Sequence, residues 1–294
     1  MKNALLKMHL AVFLWGFTGV LGRAISLREF PLVWYRTLIT AAIFFIIILY
    51  RKEFVPISWR ERRRFMVIGS IIAIHWVAFY GSIKFANASI ALTCLATAGI
   101  FTAILEPLML KTRFNIKEML IGFLALIGMY CIYHFEIRYA TGILLGIFAA
   151  ILSSVFTIMN KKIVNNYPSR MVAFYEIGSG AMFLSLIAPL YIYYSPTIQF
   201  KPTNMDFVWL GVLSLCCTVW GQSLALSALK KLSSFTTVLM VNLEPVYGIL
   251  LAILLFHENH ELGFGFYIGI GLITLSVAIH TMSMAIQRYR PIDS

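Results

Sequence analysis

Four ionisable side chains stand inside long apolar runs: Arg36, Glu106, Glu176 and Glu244. A charge at the centre of an apolar helix costs about 2.5–3.5 kcal/mol on insertion scales. Such groups are expected to face a cavity or one another. Glu244 is the strongest candidate. It lies about ten residues into its run, near mid-depth at a rise of about 1.5 Å per residue. Pro245 follows it. A proline removes one backbone donor and frees the carbonyl four residues back, here that of Val241. Asn242 adds a polar group beside the expected break. A carboxylate next to freed carbonyls suits a cation or an ammonium group. The plainer alternative is a proline kink whose glutamate is protonated and bonded to a neighbouring helix.

Glu106 repeats this chemistry with Pro107, but Lys111 follows closely. It is either an interfacial carboxylate or an intracellular gate. Arg36 offers a planar fork that suits bidentate binding of a carboxylate. It aligns with Glu176 in the repeat described below, so the two are also candidates for a buried pair. Losing one partner of such a pair strands the other charge. Glu244 and Glu176 are the carboxylates that could take and release a proton, with Glu106 and His75 as further proton-coupling or gating candidates.

Aromatic side chains dominate the remaining candidates. Trp15, Trp76 and Tyr80 could line a cavity, with Trp34, Tyr35, Tyr175 and Trp220 behind them. Trp76 and Tyr80 are four residues apart and share a helix face, as do Thr218 and Gln222. Aromatic walls with a few polar groups suit a small amphipathic ligand. Most aromatics must nevertheless simply pack. His75 is the histidine deep in an apolar run, and a hydrogen-bonded structural role competes with proton relay. The segment His257-Glu258-Asn259-His260-Glu261 is not a zinc motif of the H-E-x-x-H kind and reads as a solvated connector. There is no phosphate-binding G-x-x-x-x-G-K-[ST], no catalytic triad and no cofactor signature. Cys94, Cys131, Cys216 and Cys217 fall inside apolar runs, and no disulfide or metal site is expected.

The elements that must position these groups follow from the apolar runs. The chain has 294 residues, 60% apolar and 12% charged, against about 25% charged in soluble domains. That excludes a disordered chain and argues against a soluble one. A spanning helix needs about 20 apolar residues. Ten runs meet this length: 7–24, 31–50, 65–83, 89–110, 117–135, 141–161, 170–193, 206–228, 234–256 and 264–285. Lys2 and Lys7 before the first run would also fit a signal peptide. Trp15 within it, Arg23 at its end and the lack of a small-x-small cleavage site favour a retained helix. The net charge of +12 is spread over short loops, which is not a nucleic-acid footprint. With both termini inside, 18 cations fall in inner segments, including Arg60, Arg62, Arg63 and Arg64, and 5 in outer ones. The positive-inside rule therefore places both termini in the cytoplasm.

The ten runs divide into two halves, 1–138 and 139–294. A shift of 145 matches Ser82 with Ser227 and Ser89 with Ser234, and a shift of 140 sets Arg36 opposite Glu176. The Leu-Glu-Pro motifs at 105–107 and 243–245 need a shift of 138, so their glutamates are not symmetry mates. Five helices per half would invert the second copy in the membrane and frame a central cavity. The expected fold is an all-α membrane protein of ten transmembrane helices in two inverted five-helix repeats. Gly142-x-x-x-Gly146 and Gly265-x-x-x-Gly269 are expected to pack helices within one chain, with a dimer contact as the alternative for the second.

Ten spans in this length, two five-helix halves, Trp15-Gly16 in the first span and short basic loops resemble the EamA-like branch of the drug/metabolite transporter superfamily. So does Pro245 followed 13 residues later by Glu258. The first half departs from the pattern, with Arg113 where the second half has Glu258. The resemblance implies export of amino acids, other metabolites or drugs across a bacterial cytoplasmic membrane. We therefore expect a secondary transporter working by alternating access, proton-coupled through a buried glutamate, and monomeric, with a dimer as the other state. The competing readings are an uncoupled drug or metabolite facilitator, a lipid-modifying membrane enzyme and a membrane scaffold or receptor. An enzyme should show paired polar residues at one interface, and a scaffold long loops. Neither feature stands out in this sequence.

Overall fold

The computed structural model describes residues 2–135, 139–241, 243–257 and 263–289, and among these every regular element is helical. Long helices come first: α1 (Lys2–Ala24), α2 (Glu29–Arg51) and α3 (Trp59–Phe85). Next are α4 (Ala88–Leu95), α5 (Ala98–Leu110), α6 (Ile116–Phe135), α7 (Ala140–Lys161) and α8 (Ser169–Tyr194). A π-helical stretch, Leu213–Trp220, joins α9 (Asn204–Val212) to α10 (Gly221–Leu229). The chain ends in α11 (Ser234–Val241), α12 (Glu244–Phe256) and α13 (Phe264–Tyr289).

Among the described residues, eight segments of 22–27 residues are long and apolar enough to cross a bilayer, counting α4–α5, α9–α10 and α11–α12 as one each. The runs expected at 117–135 and 264–285 are α6 and α13, which pack against each other. Large apolar side chains cover the outside, with Leu186, Leu254 and Phe264 more than 70% exposed. Patches of that extent suit hydrocarbon rather than water.

The ends of the helices are chemically specified. Arg60, Arg62, Arg63 and Arg64 crowd the first turns of α3, where the helix dipole disfavours cations. A capping box offsets this: the Ser58 hydroxyl accepts from the Glu61 backbone N–H at 3.3 Å, and Glu61 accepts in return. Asp206 serves Thr203 in the same way ahead of α9. Asn87, part of the sequon Asn87-Ala88-Ser89, accepts from the Ile90 N–H at 2.9 Å and is buried as the cap of α4.

Three runs expected as single helices are composite. α4 and α5 have 8 and 13 residues, as do α11 and α12, and each pair ends in a left-handed residue, Lys111 and His257. An offset of 146 residues superposes both pairs with their interruptions in register, one more than the sequence match suggested. It sets Ala98 opposite Glu244 and Ala252 opposite Glu106. α4 packs on α12 and α5 on α11, so the two composite helices cross.

The interruptions correct the expected proline break. The chain does not kink around a freed Val241 carbonyl inside one helix. α11 ends at Val241, and Pro245 sits in the first turn of the next helix, where a missing N–H is harmless. The joint is tightened: the Leu243 N–H reaches Met240 O at 3.1 Å, and the Val246 N–H reaches Leu243 O at 3.1 Å. At the matching joint Thr97 donates from its backbone to Cys94 O at 3.0 Å and from its hydroxyl at 2.7 Å. Pro107 lies inside α5 without ending it.

Small residues set the closest contacts, as expected within one chain. A Cβ on Gly146 would stand 2.6 Å from that of Cys94, and one on Gly128 would stand 2.6 Å from the Gly269 carbonyl. Gly211 faces open space. Thermal unfolding in detergent should therefore separate two substitutions. Gly146→Val should cost about 1–3 kcal/mol by overpacking, whereas Gly211→Ala should be neutral or slightly stabilising. Equal melting of the two variants would contradict the α4–α7 contact.

Candidate functional site

A cavity of about 90 Å³ lies where α1, α2, α3, α4, α7, the π-helical stretch, α10, α11 and α12 meet. Of the expected site residues, Trp15, Arg36, His75, Trp76, Gln222 and Glu244 line it. Asn242 lies outside the described residues, as do Glu258 and the rest of the connector after His257. Tyr80 is fully buried behind the cavity wall.

The π-helical stretch shapes one wall. The Thr218 hydroxyl donates to the carbonyl five residues back, Leu213, at 2.9 Å. The same oxygen accepts from Arg36 Nε at 3.0 Å. Trp15 Nε1 donates to Cys217 O at 2.9 Å, an approach that Gly221 permits, since a Cβ there would stand 2.6 Å from the indole nitrogen. Such stretches recur at functional sites.

Arg36 is 2% exposed and held on three sides. Besides Thr218, its Nη1 donates to Tyr80 OH at 2.9 Å, and its Cζ lies 3.8 Å above the Trp76 ring. The aromatic face stabilises the cation electrostatically. A guanidinium has five N–H donors, and two are committed here. The anticipated pair with Glu176 is not formed: Arg36 turns to Thr218, Tyr80 and Trp76, and Glu176 turns to Asn160.

Glu176 is fully buried. Its Oε2 accepts from Asn160 Nδ2 at 3.3 Å, while its Oε1 and Asn160 Oδ1 have no partner among the described residues. Asn160 lines the cavity, so Glu176 communicates with it through that amide. Glu244 opens α12, where the helix dipole favours a carboxylate. Its Oε1 lies 3.1 Å from the Thr18 hydroxyl, which also lies 2.6 Å from Trp15 O. His75 Nδ1 sits 2.8 Å from Ala149 O. A carbonyl has no proton to give, so Nδ1 carries one and donates it.

Glu106 lies outside the cavity. It accepts the backbone N–H groups of Ser234 at 3.3 Å and Phe235 at 3.0 Å, capping α11 from the other half of the chain. Lys162 Nζ donates to Met109 O at 2.7 Å near the same end. In the loop between α7 and α8, the Tyr167 phenol is pushed up to about 12 because its proton is held by Glu61. That contact therefore persists through neutral pH.

Of the other aromatics, Trp34 donates to Ser185 at 2.9 Å, Tyr175 stacks on Phe65, and Trp220 is 54% exposed on the outer surface. The sequence reading missed Thr18, Ser153, Thr157, Asn160 and Thr237, all lining the cavity. Hydroxyls in apolar helices carry no signal, because they also satisfy backbone carbonyls. Asn160 stands beside Lys161-Lys162 and looks like the edge of a loop.

The family described as EamA-like transporter family matches the chain twice, over residues 2–134 and 140–282. No curated protein matches it. Twenty-eight chains of solved structures are similar to it. One, described only as "Crystal structure of protein", is 17% identical, with a TM-score of 0.71, over 96% of this chain and 98% of that one. An identity that low speaks for the fold alone.

Because Arg36 and Glu176 hold different partners, their losses should be independent. The destabilisation of an Arg36→Gln, Glu176→Gln double variant should equal the sum of the single effects within about 0.5 kcal/mol. Unfolding in denaturant measures this. A double variant no less stable than the worse single variant would restore the pair.

Proposed function

The chain belongs to the EamA-like transporter family, and from that premise we propose that it exports amino acids or related small metabolites across a bacterial cytoplasmic membrane. The observation that carries this reading is that one guanidinium and one carboxylate, Arg36 and Glu244, line the same buried cavity. A zwitterion would set its carboxylate on the uncommitted donors of Arg36 and its ammonium group on Glu244. Trp15, Trp76 and Phe79 would receive its side chain. A space of about 90 Å³ is small beside the roughly 300–1,000 Å³ of drug-sized pockets. This favours a small metabolite over a drug.

The transport cycle we infer is alternating access between inverted halves, 1–138 and 139–294, in ten membrane helices. The crossing composite helices support that arrangement, and the 18-to-5 division of loop cations supports cytoplasmic termini. In this orientation the Glu106 cap on α11 and the Lys162–Met109 bond tie the halves together on the cytoplasmic side. They are the intracellular gate.

Two features favour proton coupling. Thr18 has one proton and two oxygens within reach, at Trp15 and Glu244. When that proton goes to Trp15, the Thr18–Glu244 bond forms only if the carboxylic acid donates it. Glu176 Oε1 is buried without a partner among the described residues, and so is the Oδ1 of Asn160, whose amide bonds the same carboxylate. With the Asn160 amide turned over, a protonated Glu176 Oε2 would donate to Asn160 Oδ1 in place of the present bond from Nδ2.

Counterflow of labelled amino acids in proteoliposomes tests the proposal. Wild type should show saturable exchange, accelerated by a pH gradient. Glu244→Gln should reduce it at least about tenfold, the equivalent of about 1.4 kcal/mol. Rates indifferent to both the gradient and the Glu→Gln substitutions would leave an uncoupled facilitator. No exchange of any amino acid by folded protein would remove this substrate class.

A further inference from the structure

A second cavity, of about 790 Å³, lies on the outer surface between α1 and α2. Its floor is the passage from the π-helical stretch into α10, with Val219, Trp220, Ser223 and Leu224. This floor separates it from the central cavity, because Gln222, Ala225 and Leu226 of α10 face the other way. The inner walls are apolar: Leu10, Phe13 and Leu14 on α1, and Ile46 and Ile47 on α2.

The composition changes toward one end. There the crevice is bounded by Tyr50 and Arg51 at the end of α2 and by Arg170 at the start of α8. A smaller adjoining space of about 270 Å³ shares Arg170, Ser223 and Leu224 and adds Lys7, Glu53 and Ser227. Arg170 is ion-paired with Glu53, and Lys7 Nζ donates to Ser227 Oγ at 3.0 Å. Arg51 is exposed and has no side-chain partner among the described residues. Three cations and one carboxylate leave the mouth positive. This end also carries the arginines that open α3.

An apolar slot of ligand size running along the helices, with a cationic mouth at their ends, has the polarity of a lipid: chains inside, headgroup at the rim. We propose that this crevice is a binding site for one anionic phospholipid from the leaflet at the basic end of the molecule. Basic pockets between membrane helices recognise anionic headgroups in this way. The phosphate would meet Arg51, with Arg170 and Lys7 adding field, and an acyl chain would lie along Phe13, Ile47 and Trp220. A zwitterionic choline lipid would bring its own cation to the positive rim and bind less well.

Trp220 reports occupancy directly. The protein is placed in nanodiscs containing phosphatidylglycerol or phosphatidylcholine brominated in the acyl chain. Tryptophan quenching is compared between wild type and Trp220→Phe, and the difference isolates Trp220. We expect the phosphatidylglycerol to quench that component at least twofold more strongly at equal mole fraction, and the two lipids to quench alike in Arg51→Gln. Equal quenching in wild type would make the crevice ordinary lipid-wetted surface and overturn the proposal. Relief of quenching by a transported amino acid would make it a substrate entrance and overturn it as well. If Trp220→Phe does not fold, native mass spectrometry of wild type and Arg51→Gln decides. Retained phosphatidylglycerol should fall at least fivefold in the variant, and equal retention would refute the site.

Discussion

Backbone amides inside a bilayer have no water to turn to. Each departure from regular helix in this chain must therefore be repaired within the protein, and the repairs are where the polar chemistry collects. The joints at 96–97 and around 243 are closed by bonds to carbonyls three residues back. The π-helical stretch is closed by the Thr218 hydroxyl, which then holds Arg36. The Cys217 carbonyl takes the Trp15 indole, and the buried N–H groups that open α11 take Glu106 from another helix. All three interrupted helices contribute to the lining of the cavity.

Arg36 shows how a charge is kept in such a place. Among the described residues its side-chain contacts are a hydroxyl, a phenol and an indole face, with no carboxylate in bonding distance. Dipoles and a π face stabilise the cation without neutralising it, so its field and uncommitted donors stay available to a ligand. A rigid ion pair would have spent both. Glu176, by contrast, has one weak amide contact. The two residues, set opposite each other by the sequence alignment of the halves, have unlike surroundings.

Much of the frame was legible in the sequence, because helix length against hydrocarbon thickness is a one-dimensional constraint. The helix ends agree with the apolar runs to within a few residues, apart from α1 and α3, whose polar first turns extend beyond the apolar stretch. The ionisable residues of the cavity were legible for the same reason, as charges that lipid would not accept. The partners were not. Whether Arg36 meets Glu176 or Thr218 depends on a local change of helical pitch, and no residue type in 213–220 announces a π-helix. Pro245 marked a true interruption but misplaced it, since proline both breaks a helix and begins one. Glu106 and Glu244, alike in sequence context, proved unlike in position. One stands at the start of its helical segment and the other near the end.

That last difference has a consequence for the molecule as a machine. The composite helices repeat in length and in the position of their joints, yet Glu244 faces an alanine in the register of the other copy, and so does Glu106. The scaffold is nearly degenerate and its charges are not. Were the halves to exchange shapes during a cycle, each acid would meet a new set of neighbours with no counterpart to replace it. The two end states would then differ in free energy even with no gradient across the membrane. The resting orientation would be biased by the placement of two carboxylates rather than by the frame that carries them.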